Sequence, residues 1–196
     1  MGVPSAVLQA VSEDPIASLY QRKRSYEAVL ELRSGKDESV LLIPMLADLA
    51  TQLGDSIFSD LSGAIVAEEN RIAPVPTRDS RHLALMRRKT GFSYEGYVSY
   101  YRTNHARFGR DCPGSIGYHQ NYVDRDGSRR AAHACGFGIW DLDRVTEIYI
   151  RSEEEFNQAT AGDPIREEAG ANEARFIDRR SMVGFCMMVA AHDGKC

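Results

Sequence analysis

The chain has 196 residues, 43% hydrophobic and 27% charged, which is the balance of a folded globular protein and excludes a fibrous or disordered one. A net charge of -4 provides no general field for nucleic acid or an anionic membrane, and the basic clusters at 21–24, 86–89 and 128–130 are short enough to be solvated loop or strand ends. No apolar run approaches about eighteen residues, and no basic stretch followed by an apolar one opens the chain.

The four cysteines are dispersed without metal-type spacing. The expectation is a cytoplasmic protein with reduced thiols, no bound metal, and neither nucleic acid nor membrane among its partners.

Residues 1–24 read as a leader holding a short helix and a loop. In 26–34, Tyr26, Ala28, Leu30 and Leu32 alternate with charged neighbours, predicting a half-buried strand. After a turn at 35–38, the stretch 39–58 has helical periodicity, with Pro44 either in its first turn or kinking it. Residues 62–70 predict a second strand, and a proline-bearing link spans 73–80. Residues 1–78 therefore form a leader plus a shortened β-α-β half, conceivable as a degenerate copy of the larger C-terminal part. Residues 79–196 form that second domain.

There, 81–89 predicts a strand and Ser93 an N-cap, with Glu95 suited to a helix N-terminus. The helix runs to about Phe108 and carries Tyr94, Tyr97, Tyr101 and His105 on one stripe. Residues 115–124 alternate as a strand, and 125–130 form a turn inside a polar insertion reaching to about Asp141. Residues 144–152 predict a strand, 153–162 a helix with acidic residues in its first turn, and 181–190 a final apolar strand. The charged segment between them is read as a connection.

The order from 81 onward is β-α-β-β-α-β, a ferredoxin-like α+β domain with two helices on one face of an antiparallel sheet. The second face is too apolar to lie in water. A second sheet should roof it, from the N-terminal half, from another chain, or from both. Two sheets packed face to face enclose a barrel-like cavity, and His105 is expected at its rim. The strand count leaves exposed edges, which favours a homodimer.

The stretch "LALMRRKTGFSYEGYVSYYRTNH", followed in order by "PGSIGY", "DRVTEIYIRSEEEF" and "ARFID", resembles EthD-type domains. The similarity covers about 81–190 and implies the fold of the dimeric α+β barrels, which include methylmuconolactone isomerase. In that family His-Gly-Pro follows the helix; here 105–107 read "HAR". By resemblance, His105, Tyr118, His133 and Glu147 would be the catalytic residues, with Asp178 structural.

The residue types suit that chemistry. Histidine exchanges protons near neutral pH, tyrosine donates to a developing oxyanion, and a desolvated glutamate orients or assists. Strand parity places Val145, Glu147 and Tyr149 on one face, and sets Tyr118 opposite His119, so only one of that pair looks into a cavity. Tyr97, Tyr101, His119, Tyr149 and Trp140 complete the candidate substrate-binding set. Each residue has a plainer role available: His105 a hydrogen-bonded core residue, Tyr97 and Tyr101 interface packing, Glu147 an ion-pair partner for Arg88 or another strand arginine.

The function expected is a cofactor-independent lyase or isomerase moving protons on a small aromatic or polyketide-like carbonyl or carboxylate compound. The alternative is a non-catalytic binding or accessory protein of a catabolic pathway.

Overall fold

Alternating apolar residues build seven strands into one antiparallel sheet in a computed structural model that describes residues 5–10, 26–35, 39–76 and 80–192. The strands are β1 (Ser5–Ala10), β2 (Ala28–Leu32), β3 (Val66–Ala73), β4 (Ser80–Arg88), β5 (Ser115–Asp124), β6 (Arg144–Ile150) and β7 (Ile177–His192). Their spatial order is β2-β1-β7-β4-β6-β5-β3. The inner four, β7-β4-β6-β5, with their crossover helices, are the ferredoxin-like core.

The first crossover helix is continuous from α3 (Tyr94–Tyr100) through a π-helical turn (Tyr101–His105) into α4 (Ala106–Arg110). Ser93 caps its start by accepting a hydrogen bond from the Gly96 N–H. The second crossover is α6 (Glu153–Thr160) and α7 (Pro164–Phe176). Tyr97, Tyr101 and Phe176 pack with Ala84, Met86, Tyr122, Ile177 and Met182 between helices and sheet.

Four elements differ from the sequence reading. Residues 5–10 are a strand, because their backbone has a ladder to join between β2 and β7. The segment 39–58 is split into α1 (Ser39–Met45) and α2 (Leu49–Leu53), with Pro44 inside α1 and a left-handed Asp48 between the two.

The insertion after β5 is a helix, α5 (Arg125–Cys135), capped by the Asp124 side chain and ended by Gly136 at φ 75°. The charged segment is helix α7, where Asp163 accepts from the Ile165 N–H and Pro164 occupies the first turn.

The N-terminal strands do not stack as a second sheet on the first. They extend it, β1 and β2 at one edge and β3 at the other. The face turned from the helices is buried instead by curling of the same sheet. Leu83, Leu85, Val123, Phe185 and Met187 form an apolar layer there, against Val29 of β2, Tyr26 and Trp140. Arg33, just past β2, reaches Glu69 on β3, so the two opposite edges meet across this face. Among the described residues no helix is long and apolar enough to cross a membrane.

Candidate functional site

Side chains alternate across the sheet, so every strand contributes to two separate sites. On the helix-covered face stand Tyr118, Gln120 and Tyr122 of β5, and Arg144 and Thr146 of β6. On the other face stand Arg81, His119, Asn121, Glu147 and Tyr149.

The helix-covered site gathers around a buried cation. Arg144 is 1% exposed, and its guanidinium lies 3.8 Å from the centre of the Tyr101 ring. Its Nη2 is 3.6 Å from Glu173 Oε1, and its guanidinium faces the Tyr97 hydroxyl, while Nε and Nη1 have no acceptor in good hydrogen-bond geometry among the described residues. Arginine does not give up its proton, so this face of the sheet holds a permanent charge with donors to spare.

His105 sits beside it. The π turn carries its ring between Tyr101, Phe108 and Phe176, at centroid distances of 5.5, 5.2 and 5.3 Å. Nδ1 is 3.0 Å from Asn172 Oδ1, so the neutral ring donates from Nδ1 and keeps a lone pair on Nε2. Nε2 is 3.7 Å from the same Glu173 oxygen that faces Arg144. Burial first, and the Arg144 charge next, push the His105 pKa down to about 3. Burial raises that of Glu173, against the pull of Arg144 and Arg179.

A chain of hydroxyls leads away from this pair. The Tyr101 hydroxyl is 3.0 Å from that of Tyr118 and 2.8 Å from Thr146 Oγ1. Gln120 Nε2 donates to the Tyr118 hydroxyl at 3.3 Å, and the Tyr122 hydroxyl donates to Gln120 Oε1 at 2.9 Å. Burial raises the pKa of Tyr97, Tyr101 and Tyr118 against the pull of the Arg144 charge, and keeps all three protonated.

On the opposite face charge is matched by charge. Arg81 Nη1 donates to Glu147 Oε2 at 2.6 Å and to the Tyr149 hydroxyl at 2.9 Å, and Nη2 to Glu31 Oε2 at 2.5 Å. Tyr149 also donates to Glu147, and Asn121 Nδ2 donates to its other oxygen at 2.6 Å. Arg33 pairs with both Glu31 and Glu69, and His119 Nδ1 lies 2.9 Å from Glu69 Oε1. Burial acts to raise the Glu147 pKa, but Arg81 and Arg33 outweigh it and hold the carboxyl below its usual range.

Glu69, His119 and Glu147 bring one ligand-type atom each within 4.8 Å of one another. The carboxylates of that trio already face three guanidiniums, those of Arg33, Arg71 and Arg81.

The nine sequence-predicted residues therefore do not converge. His105, Tyr118, Tyr97 and Tyr101 lie on the helix side; Glu147, His119 and Tyr149 lie behind the sheet. Of Tyr118 and His119 it is His119 that faces away from the helices. His133 is exposed in the last turn of α5, and Trp140 is half-buried against Tyr26. His105 is packed inside the helix–sheet interface and not at the rim of a chamber behind the sheet, because the π turn holds it on the tyrosine stripe.

Sequence reasoning missed Arg144, Asn172 and Glu173. Arg144 shares its parity with Thr146, Ile148 and Ile150, and a charge in that row was the available signal. Asn172 and Glu173 lay in the unrecognised α7.

Residues 89–180 match the EthD domain. No curated protein matches the chain. A crystal structure of an ethyl tert-butyl ether D (EthD) family protein from Bacillus halodurans is similar at 17% identity and a TM-score of 0.43, covering 56% of this chain and 96% of that one. The similarity to the EthD domain family thus lies in residues 89–180, a little under half of the chain.

Proposed function

We propose that the chain is an acid–base enzyme, a lyase or isomerase, acting on a small aromatic or polyketide-like carbonyl or carboxylate compound at the helix-covered face. The observation that carries this is a fully buried Arg144 with unpartnered Nε and Nη1 donors, next to a histidine held neutral. Donors buried without acceptors are costly, and an anionic oxygen of a ligand would satisfy them.

In this reading Arg144 and the Tyr97 hydroxyl hold an enolate or carboxylate oxygen. The Nε2 lone pair of His105 takes a proton from the carbon next to the carbonyl. Asn172 fixes the tautomer that leaves that lone pair available. Tyr101 and Tyr118 supply neutral donors along the same wall, and Glu173, its pKa raised, is placed to return a proton. His133 and Glu147 take no part, the first exposed and the second committed to Arg81.

The test is deuterium uptake from heavy water, followed by NMR, next to the carbonyl of aryl 1,3-diketones, aryl β-keto acids and unsaturated lactones. Enzyme-dependent uptake that falls by about a hundred-fold or more in His105→Gln is expected. Uptake unchanged in that variant sinks the acid–base role. Binding without uptake, weakened by Arg144→Met, would replace the enzyme with a carrier of the same ligand class.

A further inference from the structure

The segment between β2 and β3 is far more apolar than its burial explains. Eleven of the 25 residues from 41 to 65 are Leu, Ile, Met or Phe, yet none of the 25 is buried. Four of them, Leu41, Met45, Phe58 and Leu61, and the nearby Ile139 stay 63–79% exposed. Each such side chain forfeits about 1.5–3 kcal/mol by remaining in water.

The five lie along one strip. Leu41 and Met45 are four apart in α1 and share a face. Past α1, the Asp48 N–H donates to the Ala134 carbonyl of α5, and Ala50 Cβ lies 3.1 Å from where a Cβ on Gly136 would stand. Farther along, the Gly138 N–H donates to the Ser59 and Ser62 carbonyls at 3.1 and 3.0 Å. That bond sets Ile139 beside the 3-10 turn (Ser59–Leu61), which follows Phe58. Residues 48, 50 and 59–62 are thus tied in order to 134, 136 and 138, so the segment runs along the end of α5 and the loop beyond it.

Area and charge point to what covers the strip. Five such side chains, at about 100–150 Å2 each when bare, expose roughly 400–500 Å2 of apolar surface. A stable dimer buries about 800 Å2 on each partner, about 65% of it apolar, which is a similar amount. The charged residues from 41 to 65 are Asp48, Asp55 and Asp60, all exposed, and they repel an anionic membrane or a nucleic acid. One turn before Ala134, on the same side of α5, Arg130 is exposed and has no ion pair among the described residues. An acidic strip beside a free guanidinium is self-complementary, because a two-fold axis sets the strip of each copy against Arg130 of the other.

We infer that residues 41–65 and Ile139 bind a second copy of this chain, with Phe58 and Leu61 at the centre of the contact and Arg130 facing the aspartates at its rim. The outer strands β2 and β3 take no part, since they already meet through Arg33 and Glu69. The interface is independent of the acid–base reading.

Light scattering after gel filtration of the full chain should give the mass of two chains at about 100 μM, well above the micromolar range in which weak interfaces of this size hold. Phe58→Glu/Leu61→Glu, and separately Leu41→Glu/Met45→Glu, should give the mass of one chain. Both pairs are exposed, so far-UV circular dichroism should be unchanged in each. Arg130→Glu should raise the dissociation constant about tenfold or more, and Arg130→Lys should not. Leu30→Glu, exposed on edge strand β2, should leave the dimer intact. The proposal is overturned by a one-chain mass for the wild type, by a dimer that survives both paired variants, or by a dimer lost in Leu30→Glu.

Discussion

The guanidinium of Arg144 lies over the Tyr101 ring, 3.8 Å from its centre, and this contact stands in place of the hydrogen bonds that Nε and Nη1 lack. A buried charge so weakly compensated adds little to stability, since replacing a buried ion pair with apolar groups of similar size is often neutral or favourable by about 1–4 kcal/mol. Because Glu173 is the carboxylate that faces Arg144, the double variant Arg144→Met/Glu173→Leu is expected to keep or raise the urea midpoint while abolishing ligand binding on the helix side. A loss above about 3 kcal/mol would make Arg144 a structural residue and remove the main support for the proposed site.

His105 should imprint the acid limb of the stability curve. Its unfolded imidazole takes a proton near the ordinary value of about 6.5, whereas the folded ring, desolvated and facing Arg144, waits until about 3. Between those values the unfolded state binds more protons, so stability is lost as the pH falls, by up to about 1.4 kcal/mol per unit. Glu147, its pKa lowered, adds to the acid loss, and Glu173, its pKa raised, opposes it. His105→Gln removes only the histidine part. The wild type should therefore lose ground to the variant between about pH 7 and about pH 4 in paired urea titrations; parallel curves would mean that the ring is solvated.

Arg81 and Arg33 touch the same carboxylates but should not be equivalent. The Arg81 and Glu147 side chains are only 2% and 6% exposed, so Arg81→Met strands a buried carboxylate at a cost of about 3–5 kcal/mol. Arg33 and its partners Glu31 and Glu69 are all about a fifth exposed, and Arg33→Ala should cost about 1 kcal/mol. Adding Glu147→Leu to Arg81→Met should recover most of the loss. Equal losses for the two single variants would contradict this division.

What could be read before folding divides along physical lines. Strand β5 is legible because Ile116, Tyr118 and Tyr122 recur at period two, and parity separates Tyr118 from His119 and keeps Glu147 with Tyr149. Which of the two faces the helices occupy is decided by the crossovers, and no single strand encodes it.

Helix α7 has little beyond Ile165 and Phe176 to mark an apolar stripe, so only its Asp-Pro start announced it. Helix α5 carries a glycine in its first turn and hid behind it. The candidate site suffered most, because two of its groups, Asn172 and Glu173, ride on α7. Strand β1, six residues long, has no signal apart from the neighbours it pairs with.

Gly109 in α4 sets two rules against each other. Its backbone is ordinary helix, so alanine should gain up to about 1 kcal/mol in propensity. A Cβ there would lie 2.4 Å from Cε2 and Cζ of the Tyr118 ring. That ring is held at its far end by the Tyr101 and Gln120 hydrogen bonds, so it has little freedom to withdraw. Overpacking should win, and Gly109→Ala should destabilise by about 1–3 kcal/mol. In Tyr118→Ala the obstacle is absent, so adding Gly109→Ala there should cost nothing or even stabilise, giving a coupling of about 1 kcal/mol or more in the double-mutant cycle. Additive effects in urea denaturation would mean that Tyr118 does not lie under α4, and would detach it from the hydroxyl chain that starts at Tyr101.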